Sequence, residues 1–221
     1  DQCVRDGHVP NIARFLREGF GTVAHGTMPS FTCPNNMSLI TGAPASVHGI
    51  SGNYFWDVDK GEAVVMTGPE LLRCRTILSA FADAGARVTA ITAKDKLRKQ
   101  LGKGLDVSKG NVCFSSEKAA STTMGEHGID NALAFVGQPQ PGMYSMELSL
   151  LVLEAGLKLL QQRRPDLLYL SLTDWVQHKW APQEEDARAF YRKLDDVFGR
   201  LAACDVTLAL TADHGMSDKS N

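Results

Sequence analysis

An apolar, β-prone run that stops at a carboxylate occurs twice in this chain, each time after a helix-like stretch. Leu167-Leu168-Tyr169-Leu170-Ser171-Leu172-Thr173 ends at Asp174, with His178 four residues on. Val206-Thr207-Leu208-Ala209-Leu210-Thr211-Ala212 ends at Asp213, with His214 beside it and Gly215 after. A third run, Arg87-Val88-Thr89-Ala90-Ile91-Thr92, leads into Ala93-Lys94-Asp95-Lys96. Runs of this kind read as buried strands, and their alternation with helices predicts a mainly parallel sheet covered on both faces. The strands then run the same way and bring their terminal Asp, His and Lys residues to one edge. Ligands of open α/β sheets bind just beyond the carboxyl ends of the strands.

Apolar spacing and stop signals predict helices over Pro10–Phe20, Asn35–Thr41, Thr76–Gly85, Ser145–Arg163 and Glu184–Ala203. Gly21–Gly26 reads as a strand. Pro34 suits the first position of the second helix, which puts Thr32 at or next to a helix N-terminus. From about Leu97 to Tyr144 the periodicity weakens, and Gly137-Gln138-Pro139-Gln140-Pro141-Gly142 is turn-rich. The expected organisation is a catalytic core in two parts, 1–97 and 145–221, with 98–144 as a cap over the sheet. The chain has no initiator Met and ends seven residues after His214, in what reads as a loop; a fragment truncated at both ends is expected.

Composition excludes several function classes. A net charge of −2 over 221 residues gives no global attraction for nucleic acid or an anionic membrane. No apolar run approaches the ~20 residues of a membrane span. The five cysteines, Cys3, Cys33, Cys74, Cys113 and Cys204, are scattered without a CxxC pair, which argues against a thiolate metal cluster or a disulfide framework. Reduced thiols and a cytoplasmic location are the simplest expectation.

Asp174-x-x-x-His178 alone is a pattern common on helix surfaces, and Asp213-His214 alone is also compatible with a structural role. Together, at the ends of two strands of one direction, they suggest an oxygen and nitrogen metal site suited to zinc, with manganese or iron as alternatives. Thr32 offers a hydroxyl that a neighbouring cation and the positive end of a helix would activate; the plainer reading makes it an N-cap. Cys33, with His25 or His48 as base, is a rival nucleophile without a recognisable thiol-enzyme context. His8 and His127 read as surface residues. The basic stretch Lys94–Lys109 reads as a solvated helix face, without the interleaved aromatics of a nucleic-acid binder. Lys94 and Lys96 stand apart at a strand end, where alternate residues of extended chain point the same way and both reach one anion.

The chain resembles the alkaline phosphatase superfamily. The resemblance lies in Met28-Pro29-Ser30-Phe31-Thr32-Cys33-Pro34-Asn35-Asn36, Thr41-Gly42 and His48-Gly49-Ile50-Ser51-Gly52-Asn53-Tyr54-Phe55. It continues in order through Thr92-Ala93-Lys94-Asp95-Lys96-Leu97, Thr173-Asp174 with His178, and Thr211-Ala212-Asp213-His214-Gly215-Met216. The Asp-His-Gly ending is general to the superfamily; the Phe-Thr-x-Pro-Asn, Gly-Asn-Tyr-Phe and Lys-Asp-Lys elements point to its phosphonoacetate-cleaving branch.

The resemblance implies zinc-dependent hydrolysis of a carbon–phosphorus bond through a phosphorylated Thr32. It implies two zinc ions per full-length chain. Thr32, Asp213 and His214 would share one with an Asp expected ahead of residue 1. Asp174 and His178 would share the other with a His expected after residue 221. Asn53 falls on the phosphoryl-binding position, and Lys94 and Lys96 on the pair that grips the substrate carboxylate. Cys33 departs from the pattern, standing where the family has Asn. The implied partner is a small phosphonate, without nucleic acid or membrane; a homodimer is left open. Two other readings remain: a phosphodiesterase or nucleotide pyrophosphatase of the same superfamily, and a non-catalytic fragment that binds phosphate or phosphonate.

Overall fold

The computed structural model describes residues 2–66 and 68–216. The last five residues of the second core part, 217–221, lie outside the described residues.

The architecture is α/β. A short antiparallel hairpin, β1 (Tyr54–Asp57) and β2 (Glu62–Val65), stands apart from a parallel sheet of β3 (Val88–Thr92), β4 (Val112–Ser115) and β5 (Leu167–Ser171), ordered β4-β3-β5. β3 is the middle strand: Thr92 lies opposite Ser115 on one side and Ser171 on the other. Every residue of β3 and β4 is buried, as expected of parallel strands covered on both faces.

The alternation along β3 separates two apolar clusters. Val88 and Ala90 face the Thr32–Thr41, Ile77–Asp83 and Asp95–Leu101 helices, packing with Met37, Ile40, Leu78, Leu97 and Leu101. Ile91, with Val112 and Phe114 of β4, faces the Glu147–Arg163 helix through Leu148, Leu151, Val152 and Leu159. That helix also packs on the Glu185–Ala202 helix through Leu153, Leu157, Phe190 and Leu194. The chain after β3 therefore leaves toward one face, and the chain after β5 toward the other. Such a divergence opens a crevice at the carboxyl ends of two adjacent strands.

The Pro10–Glu18 helix is held from a distance. Buried Asp195 accepts hydrogen bonds from the Asn11 and Ile12 backbone N–H groups at 3.0 and 2.8 Å. These are first-turn donors with no intrahelical acceptor. Among the described residues, no helix is long and apolar enough to cross a membrane.

Four expectations are corrected. Val206–Ala212 and Gly21–Gly26 form no strand among the described residues, because a strand exists only by pairing and neither run has a ladder partner there. Val206 and Leu210 are consequently exposed. The stretch 98–144, expected to lie over the sheet, contributes β4 to it. His127, expected at the surface, is buried and accepts a hydrogen bond from the Thr123 N–H.

Candidate active site

The Thr32–Thr41 helix starts two residues earlier than Pro34 suggested, with Thr32 as its first helical residue. Pro34 occupies the third position. A proline anywhere in the first turn removes no helical hydrogen bond, since those N–H groups have no intrahelical acceptor. The N-cap is Phe31, and no side chain caps the helix. Thr32 is thus not an N-cap; its hydroxyl is unclaimed by the helix it opens. Asn53 comes to the same place, its Oδ1 accepting the Cys33 N–H at 3.3 Å.

Two asparagines, to which the sequence reading gave no role, fix this helix start. Asn35 donates to the Phe31 carbonyl at 2.9 Å and accepts from the Thr27 N–H at 2.8 Å, tying down the loop before Thr32. Asn36 donates to the Thr32 carbonyl at 2.9 Å and to Asp213 Oδ2 at 3.4 Å. Both residues are buried, Asn36 on the helix face that meets the sheet and Asn35 against the preceding loop. A buried polar group must find partners, so Asn-Asn in this helix was the available signal.

The two Asp–His pairs meet. Asp174 follows β5 and begins the Trp175–Lys179 helix, which turns His178 back so that its Nε2 lies 2.9 Å from Asp174 Oδ2. His214 Nε2 lies 3.8 Å from the same oxygen and 3.7 Å from Asp213 Oδ2. Asp213 is partly buried; burial pushes its pKa up, against the pull of the His214 ring, and the Asp174 charge adds to the rise. Among the described residues no three His, Cys, Asp or Glu side chains are already gathered as a metal would require. The donor chemistry nevertheless fits a divalent cation. Two carboxylates and two imidazoles converge, and like charge accumulates where a cation would relieve it. His214 Nδ1 lies 3.1 Å from the Gly215 carbonyl, which can only accept. That bond places the proton on Nδ1 and leaves Nε2, the atom facing the carboxylates, with its lone pair.

Lys94 stands at the end of β3, beside this cluster. Its Nζ donates to the Met143 carbonyl at 2.9 Å and lies 4.8 Å from the centre of the Tyr144 ring. Burial lowers its pKa, with Glu117 and Asp174 acting in the opposite direction. The expectation that Lys94 and Lys96 point the same way in extended chain does not hold. The chain turns helical at Asp95, and Lys96 is the second residue of the Asp95–Leu101 helix. Lys96 is exposed, yet close enough to favour the Cys33 thiolate. Most of the other charges in Lys94–Lys109 have local partners: Arg98 pairs with Asp95 and Glu126, Lys109 with Asp106, and Lys103 donates to the Leu72 carbonyl.

Cys33 fails as a nucleophile. It is buried, and burial raises its thiol pKa more than Lys96 lowers it. His48 is no base for it. The ring is buried, its Nδ1 accepts the Ile50 N–H at 3.1 Å, and its Nε2 lies 3.0 Å from Ser38 Oγ.

Thr32, Asn53, Asp213, His214, Asp174 and His178 therefore gather at the crevice, with Lys94 on its rim and Lys96 near the helix start. Two solved structures of phosphonoacetate hydrolase from Sinorhizobium meliloti 1021 are similar to this chain. The one in complex with phosphonoformate has a TM-score of 0.89 and 50% identity, covering 92% of this chain and 49% of that chain. The one in complex with phosphonoacetate has the same TM-score of 0.89 and the same coverages, at 49% identity. The chain thus spans about half the length of the solved structures it matches. The pattern of the type I phosphodiesterase / nucleotide pyrophosphatase family matches residues 2–221, and the chain belongs to that family.

Proposed function

We propose that the protein carrying this chain hydrolyses the carbon–phosphorus bond of phosphonoacetate to acetate and phosphate, through phosphorylated Thr32. The observation that carries this reading is the convergence of the Thr32 helix start with both Asp–His pairs at the crevice beyond β3 and β5. The half-identical solved structures bound to phosphonoacetate and phosphonoformate support the substrate class.

In this reading Asp174 and His178 would hold one zinc, and Thr32, Asp213 and His214 would contribute to the other; manganese or iron would suit the same donors. When bound, the ions supply positive charge to the phosphoryl oxygens and favour the ionised threonine. The chain's own residues do the rest. Thr32 Oγ attacks phosphorus in line from a helix N-terminus, where the first-turn N–H groups and the dipole favour an oxyanion. Asn53 spends its Oδ1 on Cys33 N–H, which leaves its Nδ2 hydrogens for a phosphoryl oxygen. The electron pair of the breaking carbon–phosphorus bond moves onto carbon and, through the enolate, onto the substrate carboxylate. Lys94 has two ammonium hydrogens beyond the one given to Met143 and stabilises that charge, with Lys96 adding a second cation. A proton from solvent completes acetate, and water releases phosphate from Thr32.

The test is phosphate release from phosphonoacetate by a zinc-loaded protein of the relatives' full length carrying this sequence. Thr32→Ala is expected to lower kcat by at least about 1,000-fold. Replacing Lys94 and Lys96 with Ala should lower phosphonoacetate cleavage by about 100-fold more than cleavage of an aryl phosphate ester, whose leaving group carries no carboxylate. Equal losses on the two substrates would sink the phosphonate assignment. The family pattern favours one alternative, a phosphodiesterase or nucleotide pyrophosphatase using the same Thr32 and Asp–His pairs. An inert phosphonoacetate with a cleaved aryl phosphodiester would select it.

A further inference from the structure

Asn36 follows Thr32 by one helical turn and is 3% exposed. Its amide makes four hydrogen bonds. Nδ2 donates to the Thr32 carbonyl at 2.9 Å and to Asp213 Oδ2 at 3.4 Å. Oδ1 accepts from the Tyr169 hydroxyl at 2.9 Å and from the Ser171 hydroxyl at 3.3 Å. A primary amide has two donor hydrogens and an oxygen with two lone pairs, so its capacity is filled. The partners force its orientation. A backbone carbonyl and a carboxylate only accept, so the NH2 must face them, and the two hydroxyls must face the oxygen.

The four partners come from three separate stretches of chain. Tyr169 and Ser171 alternate along β5 and so share a face of the sheet. Thr32 belongs to the helix packed on that face. Asp213 belongs to a segment that joins no sheet among the described residues. There, the one side-chain hydrogen bond to the Asp213 carboxylate comes from Asn36. The frame provided by β5 thus reaches both groups through a single amide, with the Thr32 backbone on one hydrogen and the Asp213 carboxylate on the other.

We propose that Asn36 is a positioning residue that sets the separation of Thr32 from Asp213, and that the Tyr169 phenol locks its amide in the working orientation. The inference rests on the reading of Thr32 as nucleophile and Asp213 as metal ligand. It assigns to neither Asn36 nor Tyr169 any contact with the reacting atoms. Their contribution is to prearrange two groups that lie far apart in the chain and share no backbone ladder among the described residues.

Asn36→Asp tests the idea at constant volume, because it replaces the donor NH2 by an oxygen and sets acceptor against acceptor. Tyr169→Phe removes one donor to Asn36 and leaves Thr32 and Asp213 untouched. Both variants are made in a protein of the relatives' full length. Zinc affinity is measured by competition with a chromophoric chelator. Melting temperature is measured as well, and kcat and KM on both phosphonoacetate and p-nitrophenyl phosphate. Asn36→Asp is expected to weaken zinc binding by about 10- to 100-fold and to lower kcat by a similar factor on both substrates, with KM within about threefold. Tyr169→Phe is expected to shift both quantities the same way by about threefold.

Parental zinc affinity and kcat in a folded Asn36→Asp protein overturn the proposal. So does a variant that is merely less stable, its zinc-loaded fraction turning over at the parental rate. If Asn36→Asp does not fold, Tyr169→Phe decides, and unchanged zinc affinity there overturns the proposal. Failure of the phosphonoacetate reading looks different. The parent itself would then be inert on phosphonoacetate, while zinc binding and aryl ester cleavage still report on Asn36.

Discussion

The two Asp–His pairs are spelled almost alike and are held in different ways. Asp174 follows β5, which pairs with β3 over five residues, from Val88 opposite Leu167 to Thr92 opposite Ser171. The pairing continues past the strand end, since Ala93 N–H donates to the Ser171 carbonyl at 2.8 Å. His178 is then fixed to Asp174 by a turn of helix whose His178 N–H donates to the Asp174 carbonyl at 3.0 Å. Asp213 follows a run of similar composition with no ladder among the described residues, and side chains hold it: Asn36 on one oxygen, with His214 and Asp174 nearby. A backbone ladder spreads its restraint over many bonds. One amide concentrates it. The first pair should therefore tolerate the loss of any single polar contact, and the second should not.

The comparison predicts its largest effect in the core beneath the supported pair. Phe114 of β4 is wholly buried against the Glu147–Arg163 helix with Ile91, Leu148 and Val152. Phe114→Ala should cost about 3–5 kcal/mol in urea unfolding, from lost transfer energy and the cavity left behind. A cost under about 1 kcal/mol would mean that this side of the sheet is as loosely built as the Asp213 segment.

A smaller and more local effect is expected at Ser149. It is 1% exposed, and its hydroxyl accepts the Thr173 N–H at 3.1 Å, one residue before Asp174. Ser149→Ala leaves that N–H without its partner, at a cost of about 1–3 kcal/mol. Zinc affinity should nevertheless stay within about threefold of the parent, because the β3–β5 ladder still aims Asp174. A zinc loss as large as that expected for Asn36→Asp would erase the distinction between the two pairs.

Much of the supported half was legible in the sequence. Leu167–Ser171 and Val88–Thr92 read as strands because burial on both faces writes an unbroken apolar run, and the helices packed on them read correctly within a few residues. Val206–Ala212 carries the same local signal. What differs is the availability of a partner strand, a non-local property that composition does not encode. β4 was missed for a related reason: four residues inside a glycine- and serine-rich stretch are too short to stand out. The Lys94 and Lys96 geometry was misjudged because the change from extended to helical chain at Asp95 falls between them. Asn36 was invisible in its role, since a polar residue on an inward helix face declares a need for partners but not who they are.

pH offers a further lever, through a buried histidine packed on the Thr32–Thr41 helix. His48 is buried, and burial lowers its pKa below the ordinary histidine value. The folded state then binds fewer protons than the unfolded chain in that range. Stability from this group is full above the ordinary value of about 6.5 and is lost as pH falls below it, through the lowered folded value, by at most about 1.4 kcal/mol per pH unit. Protonation also takes from Nδ1 the lone pair that accepts Ile50 N–H, which loosens the contact between His48 and the Thr32–Thr41 helix. His48→Gln should flatten the slope of unfolding free energy between pH 7 and 5, read from urea curves at each pH. An unchanged slope would assign the acid sensitivity to other groups.

The smallest effect is expected where the chain is least supported. Leu210 lies in the unpaired run before Asp213 among the described residues and is 44% exposed. Leu210→Ala removes an apolar side chain of the same class as those in the core, yet the water it already meets leaves little transfer energy to lose. The expected cost is below about 1 kcal/mol in the same urea experiment that reads Phe114→Ala. The zinc affinity of this variant carries the more telling result. If side chains alone aim Asp213, trimming Leu210 leaves Asn36 in place and the affinity stays parental. If zinc binding falls with Leu210→Ala, the backbone of this run is itself part of the support, and the two Asp–His pairs are held more alike than their hydrogen bonds indicate.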